Sequence, residues 1–222
     1  MSPDRADAIK ALIADLAAVH GSEPADPSAD LCPDGCDGAM HELVYSFLLW
    51  ESSHTKAERA ITALRETVVD YNELRISYAE EIEPVLGARY PRAAERCARM
   101  HAALNQVYRL ENGMTLARLR EIPKRDARIY LSELEGVPPF VAARVAAVSL
   151  GVHAFPVDDR IAALAADADV AEPGTPHDEL TGHFERGLRA GEALPAYLVI
   201  EASLDAKPKR SKSKSKAGTS RR

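Results

Sequence analysis

One carboxylate in this chain has a sequence context that gives it a chemical use. Asp158 follows Val157 and precedes Asp159-Arg160-Ile161, which reads as the start of a helix. A carboxylate at this position can accept hydrogen bonds from the first backbone NH groups of the helix, and Asp is a favoured N-cap residue. It can also stabilise positive charge on a substrate and activate a water molecule. The sequence leaves both roles open, together or separately.

The segment before this aspartate predicts two helices joined by a tight turn. The first helix closes with Leu134, and residues 135–139 form the turn. The second, Phe140 to Leu150, is almost wholly apolar and ends at Gly151. Such a helix-hairpin-helix can direct backbone NH groups towards an anion, where the helix dipole is favourable. The unit, residues 131–151, is therefore suited to holding a DNA phosphate without reading base sequence.

The order of hairpin and aspartate resembles the endonuclease III superfamily of DNA repair glycosylases. That family has a Leu-Pro-Gly-Val-Gly hairpin, and its catalytic aspartate follows a valine near the start of the next helix. A weaker resemblance runs upstream through residues 41–64, so the whole covers roughly residues 38–205. The matching residues here are Leu134, Glu135, Gly136, Val137 and Pro138, then Val157 and Asp158.

The resemblance implies a monofunctional DNA N-glycosylase at most. In the bifunctional members, a lysine four residues after the first hairpin glycine attacks the sugar and forms a Schiff base. This chain has Phe140 there, and a phenyl ring has no lone pair to donate. The resemblance therefore implies no AP-lyase activity. Asp158 would be the catalytic residue, and Phe140 would line the pocket of the flipped base.

The resemblance places DNA contacts on the hairpin, although two prolines weaken this prediction. Pro138 replaces the second glycine and Pro139 follows it, which removes two possible NH donors. A hairpin kept for packing rather than for DNA would have the same sequence. The predicted DNA-contacting residues of the hairpin are Gly136, Val137, Phe140 and Val141.

The loop after residue 49 would supply the group that fills the space of an extruded base. When this chain is aligned with the family without gaps, that position falls on Ser52, whose side chain is too short to fill the space of a base. Trp50 is the alternative wedge and pocket residue. An indole that ends the apolar run Leu43 to Leu49 is also typical of a core residue.

The cysteines predict neither a cofactor nor a metal. Endonuclease III proper holds an iron-sulphur cluster on four C-terminal cysteines, but none follows Cys97 here. Cys32 and Cys36 flank strong turn chemistry, and Cys97 or His41 would be arbitrary further ligands for zinc. We predict a turn with two thiols, since a disulfide requires a location outside a reducing cytoplasm. The N-terminus lacks the features of a signal peptide, which favours the cytoplasm.

Helix signals recur along the chain while strand signals are nearly absent, so the sequence predicts an all-α fold. The resemblance adds that the helices form two lobes with a cleft between them. We predict an N-terminal helix over residues 1–21, a linker over 22–38, the helical domain over 39–206 and a disordered tail over 207–222. No apolar run approaches the roughly 20 residues needed to span a bilayer. Helix starts are predicted at Ser2-Pro3, Thr55, Pro91, Thr175-Pro176 and Leu194-Pro195.

Charge is divided unevenly along the chain. The whole chain carries −6 and the tail +8, so residues 1–206 carry −14. An acidic body is a poor electrostatic match to duplex DNA. The tail could tether DNA, although a solubility tail or an RNA-binding tail would have the same composition. The residues of the tail predicted to contact DNA are Lys209, Arg210, Lys212 and Lys214.

Two functional classes follow from these observations. The resemblance implies a DNA-binding protein of the glycosylase superfamily, which would be an enzyme if Asp158 performs base excision. Alternatively, it is an inactive relative that binds DNA or serves as a helical scaffold for protein partners. The sequence predicts neither the lesion nor the oligomeric state.

Overall fold

The computed structural model describes residues 3–22, 24–28, 31–32 and 35–206, which form helices and loops without a strand. The predicted all-α class is therefore confirmed. The predicted basic tail, with its four proposed DNA contacts, lies outside the described residues. The helices are α1 Pro3–His20, α2 Gly38–Leu49, α3 His54–Thr67, α4 Tyr71–Ile76, α5 Ala79–Leu86, α6 Ala93–Glu111, α7 Lys124–Glu133, α8 Pro139–Leu150, α9 Asp159–Asp167, α10 His177–Gly187 and α11 Ala190–Asp205, with a 3-10 turn at Ala117–Arg120.

Helix α2 forms the centre of the fold. Every residue of α2 after Gly38 is buried, which suits a helix that is apolar on almost all sides. Asp37 begins the helix, because its carboxylate accepts a hydrogen bond from Ala39 N at 3.0 Å. The same carboxylate accepts hydrogen bonds from Thr115 Oγ1 and Leu116 N, at 2.8 and 2.5 Å. This cap therefore fixes the segment before α7 to the start of the central helix.

The helices pack as two groups. In the first group, α2 contacts α3, α6 and α8, while α7 packs against α8 and α5 against α3 and α6. In the second group, α1 packs against α10 and α11, and α10 also contacts α9. The N-terminal helix thus joins the C-terminal helices, and the middle of the chain forms the lobe that contains the hairpin. This is the two-lobed arrangement that the resemblance implied.

The predicted start of helix α3 is wrong by two residues. Ser53, not Thr55, is the N-cap, and its hydroxyl accepts a hydrogen bond from Lys56 N at 3.4 Å. Both residue types are good caps, so local sequence does not separate them. The buried face of α3 consists of His54, Ala57, Ala60, Ile61 and Leu64.

The predicted start of helix α11 at Leu194-Pro195 is also wrong. The helix begins at Ala190, where the Glu192 carboxylate accepts a hydrogen bond from Arg189 N at 2.9 Å. This contact satisfies a backbone group at the true start of the helix. Pro195 consequently lies inside the helix rather than at its first position.

The predicted hairpin is present between α7 and α8. Pro139 occupies the first position of α8, where the absence of an NH group costs no helical hydrogen bond. Gly151 ends α8 in the left-handed region, with φ +58°. These boundaries agree with the prediction because proline and glycine determine them locally.

Candidate functional site

The bend of the hairpin presses against helix α6. Gly136 has φ +77°, and Val137 N donates to Leu134 O at 3.1 Å to close the turn. A Cβ atom at Gly136 would lie 2.7 Å from the backbone oxygen of Arg99, closer than real Cβ atoms approach other atoms. Both the backbone conformation and this close approach require glycine. The hairpin is therefore a packing element, whatever else it binds.

The start of helix α8 offers an anion the NH groups of Phe140 and Val141 but fewer donors than a turn without prolines would. Val137 NH is used within the turn, and the two prolines that follow have no NH group. Phe140 and Val141 are 2% and 0% exposed, and the Phe140 ring lies edge-on to Tyr197 with the ring centroids 6.5 Å apart. The Phe140 side chain therefore packs in the core and does not line an open pocket in this structure, while contact of the Phe140 and Val141 NH groups with DNA stays a prediction. Both side chains are part of the core that α8 forms with α2.

Asp158 is the N-cap of α9 and is completely buried. Its Oδ1 accepts a hydrogen bond from Ile161 N at 3.1 Å. Its Oδ2 accepts hydrogen bonds from Glu51 N at 3.2 Å and from Arg160 Nε at 2.8 Å. Glu51 Oε1 in turn accepts one from Asp159 N at 3.0 Å, and burial raises the pKa of the Glu51 carboxyl. The capping role is confirmed, and both oxygens of Asp158 are engaged.

Arg160 links Asp158 to a second buried acid. The Arg160 side chain is 20% exposed, whereas those of Asp158 and Glu201 are 0% and 1% exposed. Its Nη2 donates to Glu201 Oε1 at 2.9 Å. Burial raises the pKa of Glu201 to about 7. Catalysis by Asp158 therefore requires that Arg160 and the loop at Glu51 move first.

Trp50 and Ser52 lie between α2 and α3 in a loop that folds back on the end of α2. The Arg92 guanidinium lies 4.3 Å and that of Arg99 5.7 Å from the Trp50 ring centroid, and the indole is 7% exposed. Ser52 is 5% exposed, and its NH donates to Leu49 O at 2.8 Å. Both side chains are covered in this structure, and the roles of Trp50 as a wedge or pocket residue and of Ser52 as a DNA contact stay predictions.

A row of cations that sequence reasoning missed extends from the start of α3 to the hairpin. Three of them line a cavity of about 330 Å³ between α3 and the loop before α6. Two more, Arg92 and Arg99, lie over the Trp50 ring, and Arg99 Nη1 is 3.5 Å from Gly136 O. We call these residues the basic row: Lys56, Arg59, Arg89, Arg92 and Arg99.

The signal for this surface was a local excess of positive charge. Residues 89–128 hold ten Lys or Arg and four Asp or Glu, in a chain whose net charge is negative. One acid contacts the basic row: Glu95 pairs with Arg92 and with Arg99, each at 2.8 Å. Hydrogen bonds from these arginines lower the pKa of Glu95, so it stays ionised and offsets part of their charge. The three cations at the cavity carry the larger share of the positive charge.

The structure corrects the interpretation of the cysteine pair. Cys32 and Cys36, predicted to be two thiols, are joined by a disulfide, with their Cα atoms 6.7 Å apart. This separation lies in the range that a disulfide can span. A ring nitrogen of His41 lies beside the two sulfurs, a proximity that the sequence left arbitrary.

Comparisons with known proteins identify the fold. No protein-family model matches this sequence, and no curated protein does. A structure of endonuclease III in a non-covalent complex with DNA matches with a TM-score of 0.67 at 14% identity, over 88% of this chain and 84% of that one. The H. pylori 3-methyladenine DNA glycosylase matches with a TM-score of 0.60 at 13% identity, over 90% and 95%. A thermostable thymine-DNA glycosylase matches with a TM-score of 0.59 at 13% identity, over 93% and 90%.

The chain therefore has the fold of the helix-hairpin-helix DNA glycosylases, as the resemblance implied. At these identities the likeness concerns the fold, and the residues of the site differ in the ways described above. None of the helices in the described ranges is both long and apolar enough to cross a membrane.

Proposed function

We propose that this protein binds duplex DNA along the basic row and does not excise bases while Arg160 is paired with Asp158. The observation that carries the binding proposal is the basic row itself. It consists of four exposed cations and one half-buried cation that lead to the hairpin, on a body of net charge −14. Contacts of Lys and Arg with phosphates supply most of the affinity of non-specific DNA binding. An arginine can also hold a phosphate through two hydrogen bonds.

Two further observations support binding to DNA. Solved structures of the same fold hold endonuclease III on DNA, so the fold is compatible with a duplex. Gly136 and Val137 remain partly exposed at the bend, next to Arg99 at the end of the basic row. The hairpin and the row would then form one continuous DNA-binding surface, with the hairpin as the weaker part.

The state of Asp158 supports the absence of base excision. A glycosylase carboxylate must face the sugar whose positive charge it stabilises. Here the Arg160 guanidinium and the Glu51 backbone occupy the carboxylate, and a guanidinium would repel a cationic sugar. Phe140 supplies no nucleophile for a lyase reaction.

The binding proposal is tested by fluorescence anisotropy of a labelled duplex at several salt concentrations. The triple variant Lys56→Ala/Arg59→Ala/Arg89→Ala should weaken binding and reduce the salt slope by up to about 0.9 for each phosphate that is no longer neutralised. The matched control removes three exposed cations from the other lobe, Lys10, Arg186 and Arg189, and should leave the slope unchanged.

Both variants are also measured without residues 207–222, so that the tail and the row are separated. Any contribution of the tail to the salt slope should be the same in the row variant and in the control. Equal slopes for the row variant and the control would contradict the proposal, because binding would then not depend on this surface.

A monofunctional glycosylase is the second candidate, and the position of Asp158 on this fold favours it. Excision would require that Arg160 leaves the carboxylate. The assay is release of damaged bases from duplex DNA by the natural chain and by Arg160→Ala, with Asp158→Asn as the control. Release that depends on Asp158 in the natural chain would support this candidate against our proposal. Borohydride trapping should give no covalent adduct in any of the three.

We propose a cytoplasmic location, because the proposed ligand is duplex DNA. In that compartment thiols are kept reduced. The Cys32–Cys36 pair would then exist in its dithiol form.

A further inference from the structure

Cys32, Cys36 and His41 form a cluster of possible metal ligands away from the hairpin. One ligand atom from each of the three residues lies within 4.8 Å of the other two. His41 is in the first turn of α2 and is 2% exposed, while both cysteines are half-buried. Thiolate and imidazole are the ligands that zinc prefers in proteins.

The hydrogen bonds of His41 present a lone pair within this cluster. His41 Nε2 lies 3.2 Å from Ser28 O, and a carbonyl only accepts, so Nε2 carries the proton. Nδ1 is then the acceptor, and it lies 2.7 Å from the Tyr71 hydroxyl. A histidine that ligates a metal commonly donates its other NH to a carbonyl, which fixes the ring. His41 has this arrangement at Nε2, and Nδ1 can ligate once the Tyr71 hydroxyl turns away from it.

There is room for a fourth ligand next to the cluster. A cavity of about 330 Å³ is lined by Cys36, Asp70 and Tyr71, together with apolar residues of α3 and α4. A structural zinc site needs four donors in tetrahedral arrangement. A water molecule in this cavity can supply the fourth.

We propose that the reduced form of this cluster binds one Zn²⁺ through Cys32, Cys36 and His41. A dithiol reductant first breaks the S–S bond: it gives two electrons and two protons to the two sulfurs and becomes a disulfide itself. On binding the ion, each thiol releases its proton and ligates as a thiolate. The disulfide and the metal site are two alternative ways to close the same segment.

The site has a structural consequence for the segment that contains Asp26 and Ser28. Asp26 binds the fully buried Arg144 through both carboxylate oxygens, at 2.9 and 2.8 Å. Ser28 Oγ donates to Glu42 Oε2 at 2.7 Å. Zinc would attach this segment to α2 through His41, which the Cys32–Cys36 disulfide alone does not do, and would favour the pairing of Asp26 with Arg144 beside that of Glu42.

The test uses the full chain, reduced with a dithiol that is then removed under nitrogen, and titrated with Co²⁺. One equivalent should bind and give both the charge-transfer band of a cobalt thiolate and the visible bands of tetrahedral cobalt. Zn²⁺ should abolish both signals. Cys32→Ser and Cys36→Ser should lose the one-equivalent signal, and His41→Gln should weaken binding at least tenfold. Cys97→Ser, which removes the buried thiol on α6, is the matched control and should behave as the natural chain.

A second measurement does not depend on the folding of any variant. In the natural reduced chain, Zn²⁺ should protect Cys32 and Cys36 from alkylation, as read by mass spectrometry of the peptides. The proposal is overturned if the reduced chain binds no cobalt, or if the signals persist in both Cys→Ser variants. It is also overturned if His41→Gln binds as tightly as the natural chain, since the ion would then use the two thiols alone. Each of these results is independent of DNA binding.

Discussion

Replacing Gly136 by alanine tests whether the hairpin is pressed against helix α6. At φ +77° an alanine costs about 1–2 kcal/mol, because its Cβ approaches the following carbonyl. The new methyl group would also lie 2.7 Å from the backbone oxygen of Arg99, which cannot rotate away as a side chain could. Overpacking of this kind costs about 1–3 kcal/mol. We therefore expect Gly136→Ala to lower the free energy of unfolding by about 2–5 kcal/mol.

Two other glycines separate the contributions to this destabilisation. Gly174 has φ +84° and nothing within 4 Å of an added methyl group, so Gly174→Ala should show the backbone cost alone, about 1–2 kcal/mol. Gly191 lies in helix α11 with an ordinary φ and open space around it, so Gly191→Ala should be neutral or stabilise by up to about 1 kcal/mol. The measurement is urea unfolding followed by circular dichroism, with all four proteins under the same conditions.

The difference between Gly136→Ala and Gly174→Ala isolates the packing against α6. A destabilisation at Gly136 no larger than that at Gly174 would refute the close approach of the hairpin to Arg99. The hairpin would then be free of α6 and better placed to follow a DNA strand. The same experiment therefore measures how strongly the packing against α6 constrains the hairpin.

Further substitutions at three buried positions are each measured by urea unfolding. Phe140→Ala should cost about 3–5 kcal/mol because it leaves a cavity, and Phe140→Leu much less; equal small costs would place the ring outside the core. Asp158→Asn keeps an acceptor for the helix cap but removes the pairing with Arg160, and should cost about 1–3 kcal/mol; an unchanged stability would mean that the pair is not formed. Burial raises the pKa of Glu201 to about 7, above its unfolded value, so this residue contributes stability at low pH that is lost as the pH rises from about 4.5 to 7. In the natural chain the free energy of unfolding should therefore fall between pH 5 and pH 8. Glu201→Gln removes this titration, so its free energy of unfolding at pH 8 minus that at pH 5 should exceed the same difference in the natural chain by up to about 3 kcal/mol. Equal differences in the two proteins would argue against a raised pKa.

Local turn chemistry explains why the hairpin could be predicted from the sequence. Gly136, Pro139 and Gly151 act through their own backbone preferences, so the limits of the turn and of α8 do not depend on distant residues. The capping role of Asp158 is local in the same sense, since the NH group it binds belongs to Ile161. Propensity and spacing are sufficient for features of this kind.

The burial of Asp158 could not be predicted, because the residues that cover it are distant in sequence. Glu51 is 107 positions away, and Glu201, which holds Arg160 in place, is 41 positions from that arginine. The basic row could not be predicted for the same reason, since α3, α6 and the loop before α6 come together only in the fold. For Phe140, the sequence showed the absence of a lysine but not that the ring would turn into the core.

The pairing of Arg160 explains how one fold can present or withhold its carboxylate. A buried ion pair is costly to form and costly to break by removal of one partner. Arg160 has two acidic partners, Asp158 at the start of its own helix and Glu201 on α11, at 2.8 and 2.9 Å. If Arg160 leaves both carboxylates, Glu201 keeps only His54, whose Nε2 lies 3.8 Å from Glu201 Oε2, or becomes neutral. The raised pKa of Glu201, about 7, makes neutralisation the easier course below neutral pH. The cation therefore serves as a structural tie between α9 and α11, and any catalysis by Asp158 would have to overcome that tie.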